Sequence, residues 1–338
     1  MGKYRVLSFD GGGLRGVISL AVLERLDIAA PDWRTGINMY AGTSTGALIA
    51  LGLAKGMAPR EIMDVYMIDG PKIFDRSLWH EIGNLDDITG PKYDSANRMQ
   101  TIQTMLGNAR LSDYLSQDEQ RGHVVVTAFD LINGHAPNPS TRSWKAKIFH
   151  NVPTKGQYSN DGPEYAWKVA MRTSAAPTYF ASYEGFADGG VFANNPAMCA
   201  LAQTQDNRNR TPIPLGSVFM LSVGTGIRPC HLDANESWGL AQWAPKLVDL
   251  LMDGVNEVAD FQVRQLLGEE RYLRINVDLP VDIPLDAVDM LGTMQRVGNN
   301  IDLTNAVQFL KTGWQPPPNV QRNGRRSIKQ LNGQPANP

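Results

Sequence analysis

One short motif has the residue types and spacing of a nucleophile elbow: Gly42-Thr43-Ser44-Thr45-Gly46. In such an elbow a sharp turn between a strand and a helix exposes the serine hydroxyl above a sheet, and the glycines permit close packing. Apolar residues at 37–41 predict the strand, and residues 47–53 predict a helix whose positive dipole end faces Ser44. The same five residues are also typical of a Ser/Thr-rich helix cap, so the motif alone leaves both interpretations open.

A glycine-rich loop precedes this motif, with the sequence Gly11-Gly12-Gly13-Leu14-Arg15-Gly16. It lies between a predicted strand at 6–9 and a predicted helix at 14–26, so it formally matches the G-x-G-x-x-G fingerprint of dinucleotide-binding folds. That fingerprint needs an acidic residue at the end of the second strand, where this chain has Ala41-Gly42-Thr43-Ser44. The alternative is an oxyanion hole made by backbone N–H groups of Gly12 and Gly13. We favour the oxyanion hole, because Arg15 in the loop suits an anion.

A serine nucleophile needs a base, and histidine is the usual one. None of the five histidines has a sequence context that indicates this role; they are His80, His123, His135, His150 and His231. A carboxylate within hydrogen-bond reach can take the proton instead. Asp188 stands out among the acids, because the following Gly189 and Gly190 would expose its carboxylate with little steric cover. An ordinary Asp-Gly turn explains these three residues equally well.

Three motifs, in this order, resemble those of the patatin-like phospholipases. They are Phe9-Asp10-Gly11-Gly12-Gly13-Leu14-Arg15-Gly16, Gly42-Thr43-Ser44-Thr45-Gly46 and Asp188-Gly189-Gly190. Residues 173–180, 194–196 and 222–226 also agree with the family. The resemblance covers residues 4–226 and continues more weakly through 238–240 and 271–274.

This resemblance implies a lipid acyl hydrolase that uses a Ser-Asp dyad instead of a triad. It makes Ser44 the nucleophile, Asp188 the base and the Gly11-Gly12-Gly13 loop the oxyanion hole, with electrostatic support from Arg15. Further motif residues shape the elbow and the turn after the base: Gly42, Thr43, Thr45, Gly46, Gly189 and Gly190. A dyad needs no metal and no cofactor, and the chain contains neither an H-E-x-x-H motif nor a calcium-loop pattern.

The elements that must position these residues predict an α/β fold. Two strand–loop–helix units within the first 55 residues favour a mostly parallel sheet with helices on both faces, and the resemblance implies a three-layer α/β/α arrangement. Residues 59–68 predict another helix, residues 70–121 a helical and loop insertion that forms a cap, and residues 316–338 a polar tail. We therefore expect one patatin-like domain at residues 1–315. Further predicted strands lie at 124–129, 144–149 and 217–223, and further helices at 97–106 and 164–172.

Composition narrows the class of protein. The 338 residues are 42% hydrophobic and 20% charged, which excludes disordered, collagen-like and coiled-coil chains. A net charge of -2 gives no electrostatic field for a nucleic acid polymer. Two cysteines, Cys199 and Cys230, cannot build a disulfide framework, so a reducing compartment is expected. Because no apolar run reaches about 18 residues, we expect a cytoplasmic protein that associates with membranes peripherally when active.

Two stretches could contact a membrane. Residues 238–267 have apolar side chains at helical spacing, but their acidic charge favours a helix packed on the sheet, since interfacial helices prefer Lys and Arg. The insertion is the better candidate for a lid or docking element, with an ordinary helical cap as its alternative. Its apolar residues and those just before it are Met67, Ile68, Ile73, Phe74, Leu78 and Trp79.

Three functions follow from these observations. The first is phospholipase A-type hydrolysis of membrane phospholipids, and the second is general carboxylesterase or thioesterase activity on small acyl substrates. The third is a ligand-activated phospholipase effector, by analogy with patatin-like proteins that cyclic nucleotides activate in antiphage defence. No sequence feature identifies the activator's pocket, the headgroup preference or the oligomeric state.

Overall fold

Seven strands form one sheet in the computed structural model, which describes residues 2–75, 90–133, 140, 143–229, 237 and 239–314, with backbone only at 240–242, 244–246 and 248–249. The order across the sheet is β4-β3-β2-β1-β6-β7, and β5 also pairs with β3. The strands are β1 (Tyr4–Phe9), β2 (Met39–Thr43), β3 (His123–Asp130), β4 (Lys145–His150), β5 (Phe186–Asp188), β6 (Val218–Val223) and β7 (Tyr272–Ile275).

The central strand pairs of this sheet are parallel. β1 lies between β2 and β6, β3 continues the sheet beyond β2, and β7 continues it beyond β6, all in parallel register. Only β4 and β5 run antiparallel, and both pair with β3. The predicted mostly parallel sheet and the neighbouring strands near 124–129 and 144–149 are therefore confirmed.

Helices cover both faces of the sheet. Because side chains alternate along a strand, Leu7 and Phe9 of β1 enter one apolar core while Tyr4 and Val6 enter the other. The helices are α1 (Gly16–Ala29), α2 (Thr45–Lys55), α3 (Pro59–Ile73), α4 (Ser95–Leu106), α5 (Ala166–Thr173), α6 (Gly190–Ala193), α7 (Ala197–Thr204), α8 (Leu240–Leu267), α9 (Leu291–Asn300) and α10 (Thr304–Phe309). α1, α2 and α9 lie on the first face, and α7 and α8 on the second.

The structure extends one predicted helix and adds one strand. The helix predicted at 59–68 continues as α3 to Ile73, because this last turn packs Ile73 and Phe74 into the wall of a pocket. The short strand β7 was missed, since its four residues include one arginine, Arg274, and show no apolar alternation. It forms at the sheet edge because β6 offers a free hydrogen-bonding partner.

Helix α8 packs on the second face of the sheet, as expected, but it buries only one of its two apolar faces there. Its backbone is helical through Pro245 without a break. Its inner face is buried at Met252, Ala259 and Val263. Its outer face exposes a row of large apolar side chains: Trp243, Leu247, Leu250, Leu251, Val258 and Phe261. The acidic side chains lie beside this row, and the row remains exposed to solvent.

The insertion contributes α4, which packs against α2, α3 and α5. Ile73, Phe74 and Ile102 line the same pocket, so this part of the insertion forms pocket wall. Leu78 and Trp79 lie outside the described residues. Within the part of the chain that the structure describes, no helix is long and apolar enough to cross a membrane.

Candidate active site

Ser44 lies in a strained turn between β2 and α2. Its φ of 52° and ψ of -122° fall outside the ordinary regions for a non-glycine residue. Its side chain makes no capping hydrogen bond to α2, which argues against the helix-cap interpretation. The Ser44 N–H donates to Thr173 Oγ1 at 2.8 Å. Strain of this kind is typical of a nucleophile elbow.

The glycines around Ser44 are needed for close approach. A Cβ at Gly46 would lie 2.2 Å from the Phe9 carbonyl oxygen, and one at Gly42 would lie 2.3 Å from the Gly46 carbonyl oxygen. The two threonines anchor the elbow: Thr43 Oγ1 donates to the Ala193 carbonyl at 2.6 Å, and Thr45 hydrogen-bonds the Tyr66 hydroxyl. Larger residues at the glycine positions would push the start of α2 away from β1.

The glycine loop lies directly beside this elbow. A Cβ at Gly11 would lie 3.4 Å from Ser44 Cβ. The Gly11 N–H donates to the Asn194 carbonyl at 3.0 Å, so it is not free; the donors expected from the sequence are those of Gly12 and Gly13. The N–H groups of Gly12 and Gly13 have no acceptor among the described residues, and Gly13 lines the same pocket as Ser44.

Two side chains hold the peptide groups of this loop from behind. Thr225 Oγ1 donates to the Gly11 carbonyl at 2.8 Å. The Gly12 carbonyl accepts the Arg15 backbone N–H at 3.1 Å and lies 3.4 Å from its Nε. In a trans peptide the C=O and the next N–H point in opposite directions. These contacts therefore direct the N–H groups of Gly12 and Gly13 away from Thr225 and Arg15.

Asp188 ends β5 and is 1% exposed. Its Oδ1 accepts the Gly190 N–H at 2.8 Å, while its buried Oδ2 has no hydrogen-bond partner among the described residues. Burial raises the pKa of Asp188 to about 6, against the lowering effects of the Ser44 hydroxyl, the Gly190 N–H and Arg98. A Cβ at Gly189 would lie 2.2 Å from Thr127 Oγ1, so this turn also requires glycine.

Thr173 joins the two motifs, which are far apart in the sequence. Its hydroxyl accepts the Ser44 N–H, and its carbonyl accepts the Gly189 N–H at 3.3 Å. The Asp188 N–H donates to the neighbouring Ala175 carbonyl at 2.9 Å. The end of α5 therefore places the serine and the carboxylate beside the same pocket.

That pocket has a volume of about 810 Å³ including its open mouth. Ser44 and Asp188 line it, and most other lining residues are apolar. Its only charged lining residues within the described chain are Asp188 and Arg98. Arg98, on α4, is 3% exposed, donates to the Ser174 carbonyl and stacks on Phe180. Burial lowers the pKa of Arg98 to about 10, while Asp188 raises it, so Arg98 stays cationic at neutral pH and favours the ionised form of Asp188.

No described histidine takes part in this arrangement. His123 hydrogen-bonds the Tyr4 hydroxyl and His150 lies near Asp161, and neither lines the pocket. His80, His135 and His231 lie outside the described residues. Among the residues that the structure describes, no group of three or more His, Cys, Asp or Glu side chains could hold a metal ion.

Besides Thr173, sequence reasoning missed three residues that hold the site together. Thr225 and Arg98 are described above, and the third, Arg274 on β7, forms a buried ion pair with Asp10 at the start of the glycine loop. Thr225 and Arg274 fall within stretches that resembled the family, but their roles could not be seen there. The three residues reach the site from separate elements, so no local spacing indicates their partners.

Comparisons with known proteins agree with these motifs. The model of the patatin-like phospholipase family matches residues 7–201. A cGAMP-activated phospholipase of Vibrio cholerae is 30% identical over 323 residues, covering 84% of this chain and 85% of the relative. Another from Escherichia coli is 30% identical over 241 residues, covering 66% of this chain but only 62% of the relative.

Among solved structures, VipD from Legionella pneumophila matches with a TM-score of 0.43 at 12% identity, covering 92% of this chain and 67% of that one. The family match extends over more than half of the chain and contains all three motifs that surround the pocket. This chain therefore belongs to the patatin-like phospholipase family, whose members are hydrolases.

Proposed function

We propose that this chain hydrolyses fatty-acid esters of membrane phospholipids, with Ser44 as the nucleophile and Asp188 as the base. One observation carries the proposal. A serine in a strained elbow shares an apolar pocket with a single carboxylate, and that carboxylate has a buried oxygen without a hydrogen-bond partner. The apolar walls fit an acyl chain, while Ser44 and Asp188 supply the chemistry of acyl transfer.

The mechanism is acyl transfer in two steps. Asp188 accepts the proton of the Ser44 hydroxyl as Oγ attacks the ester carbonyl carbon, and the proton passes to the departing alcohol when the ester C–O bond breaks. Water then attacks the acyl-enzyme, gives its proton to Asp188 and releases the fatty acid, and the proton returns to Ser44. With a pKa of about 6, Asp188 is ionised at neutral pH yet more basic than an ordinary carboxylate.

The tetrahedral oxyanion is stabilised by the N–H groups of Gly12 and Gly13. Both lack acceptors among the described residues and follow carbonyls that are held from behind. Gly11 is not a donor, because its N–H is committed to Asn194. Arg15 is buried behind the loop, on the side away from these N–H groups, and its positive charge acts on the oxyanion across the loop. Donors that are already oriented need no reorganisation during the reaction.

Substrate comparison tests this proposal against a general esterase or thioesterase. Purified protein is incubated with long-chain phosphatidylcholine in mixed micelles, p-nitrophenyl butyrate and a short acyl thioester. We expect the highest kcat/KM for the phospholipid, because each methylene buried in the pocket contributes up to about 0.8 kcal/mol. A preference for the short ester or the thioester would instead support the alternative activities.

Thr225 supplies a test of the oxyanion hole. Thr225→Val keeps the side-chain shape but removes the hydroxyl that holds the Gly11 carbonyl. We expect kcat to fall about 5-fold with little change in KM, because one net hydrogen bond is worth about 1 kcal/mol. Thr225→Ser, which keeps the hydroxyl, is expected to retain most of the activity. Equal losses in both variants, at unchanged melting temperature, would show that Thr225 acts through packing alone.

Activation by a small molecule is a second candidate feature. It is favoured by the two relatives named cGAMP-activated phospholipases, one of which aligns along most of this chain. Phospholipid hydrolysis measured with and without cGAMP tests it. A rate that cGAMP leaves unchanged would count against activation by this compound, whereas a stimulated rate would support the effector interpretation.

A further inference from the structure

Within the described residues, the outer face of α8 is an exposed apolar feature that the proposed chemistry does not use. We define the α8 stripe as Trp243, Leu247, Leu250, Leu251, Val258 and Phe261. These side chains are 37% to 63% exposed. At helical spacing they fall within an arc of about 100° and extend over about 27 Å. An ordinary surface helix turns its apolar face inward, so α8 carries a second apolar face that points to solvent.

The inner face of the same helix touches the candidate active site. Met252 lines the pocket that contains Ser44 and Asp188. Asn256 Oδ1 accepts a hydrogen bond from Asn194 Nδ2 at 3.2 Å, and the Asn194 carbonyl holds the Gly11 N–H. The middle of α8 therefore separates the pocket from the stripe by the width of one helix.

A second exposed apolar group lies at the ends of β3 and β4. It consists of Leu131, Ile132 and Trp144, which is 72% exposed. These residues follow and precede strands that pair with each other, and β3 also pairs with β5, which ends at Asp188. The short helix α6 contacts both α8 and β3. The Leu131 N–H donates to the Gly185 carbonyl at 2.9 Å, so this second group lies beside the start of β5.

We infer that the α8 stripe is the surface by which this protein docks on a lipid bilayer. The inference rests on the proposed function, since a bilayer is where a phospholipid substrate would be held. Interfacial helices bury their apolar face about 5–10 Å into the boundary between headgroups and acyl chains. Docking through the stripe places the pocket one helix away from the lipid.

The charged residues next to the α8 stripe indicate which kind of bilayer it would bind. The polar residues beside the stripe are mostly acidic, including Asp253, Glu257 and Asp260, with Arg264 paired to Asp260 at 3.3 Å. Anionic lipids would be repelled by these carboxylates, so the surface fits a zwitterionic bilayer. A stable dimer normally uses about 20–30 residues per partner. The six side chains of the stripe fall well short of that number.

Vesicle binding tests the inference in Ser44→Ala, so that hydrolysis does not change the lipid. Binding to phosphatidylcholine vesicles is measured by flotation for Ser44→Ala and for the same protein with Val258→Glu and Phe261→Glu. We expect the two glutamates to weaken partitioning at least 10-fold. Ile28→Glu is the matched control, because Ile28 on α1 is 81% exposed and lies on the opposite side of the sheet; it should bind normally.

Activity assays on protein that retains Ser44 separate this inference from the proposed function. The Val258→Glu/Phe261→Glu variant should cleave p-nitrophenyl butyrate at the normal rate and lose hydrolysis of vesicle phospholipid. Unchanged vesicle binding by this variant would overturn the docking surface, as would a dimer of the parent protein that the two glutamates dissociate. An unaltered protein that cleaves no ester would overturn the proposed function, and the flotation result would still stand.

Discussion

Ser44→Ala is expected to lower kcat for ester hydrolysis by at least about 10⁴-fold while the protein stays folded. The hydroxyl is the group that forms the acyl-enzyme, and neither the glycine loop nor Asp188 can replace it. Stability should change little, because the Ser44 side chain makes no capping bond and its backbone contact to Thr173 uses the N–H. The measurements are phospholipid hydrolysis and the melting temperature.

A fluorophosphonate probe gives the control for this prediction. Mass spectrometry should find the label on the peptide that contains Ser44 and find none in Ser44→Ala. Ser174 is the other serine that lines the pocket, and its hydroxyl is committed to the Ala170 carbonyl at 2.6 Å. Ser174→Ala should therefore keep the label. Labelling that persists in Ser44→Ala would refute the assignment of the nucleophile.

Asp188→Asn is expected to reduce kcat by about 10²–10⁴-fold, the usual contribution of a general base. The amide keeps the size of the carboxylate and its acceptor for the Gly190 N–H, but it cannot take the Ser44 proton. In the unaltered protein kcat/KM should rise with pH through about 6, as Asp188 ionises. This acid limb should be absent from the residual activity of Asp188→Asn, which a pH–rate profile measures.

As pH rises through about 6, the contribution of Asp188 to stability should fall while the activity rises. The pKa of Asp188 is raised on folding, so the folded protein binds more protons than the unfolded chain between about pH 4 and pH 6. Its contribution to the free energy of unfolding therefore falls as pH rises through that window. Asp188→Asn removes the cost of a buried charge, and its melting temperature at pH 8 should equal or exceed that of the unaltered protein.

Asp130→Asn is the matched control for the base. Asp130 is also buried, at the end of β3, and it accepts the backbone N–H groups of Ile132 and Asn133 through Oδ1. It does not line the pocket, so Asp130→Asn should keep most of the activity. Substitution of each histidine by Gln should also be tolerated. One histidine variant as damaging as Asp188→Asn would replace the dyad with a triad.

Local sequence patterns predicted the fold class. The errors in the predicted elements lie where tertiary packing outweighed those local patterns. Two strand–loop–helix units predicted the parallel sheet, and their boundaries were close to those of β1, β2, α1 and α2. The helix predicted at 59–68 stops too early, because α3 continues through Pro71 to Ile73, where Ile73 and Phe74 reach the pocket. β7 has no apolar pattern of its own and forms only beside β6.

The sequence by itself determined the parts of the site that neighbouring residues build. The glycines at 42 and 46 permit a tight elbow, and the glycine loop supplies small residues next to a strand end; both depend on backbone geometry within a few positions. Only the tertiary structure decided which partners meet. Thr173 brings Ser44 and Asp188 together, Thr225 orients an amide of the loop, and Arg98 supplies a buried charge.

The outer face of α8 is likewise determined in part by the sequence and in part by the tertiary structure. Its apolar spacing is visible in the sequence, but a helix that is apolar on two faces can bury only one of them against a single sheet. Which face is buried depends on α6 and α7, against which the inner face of α8 packs. Long-range contacts of this kind carry no local signature, because the free energy that selects them comes from burial between elements that are distant in the chain.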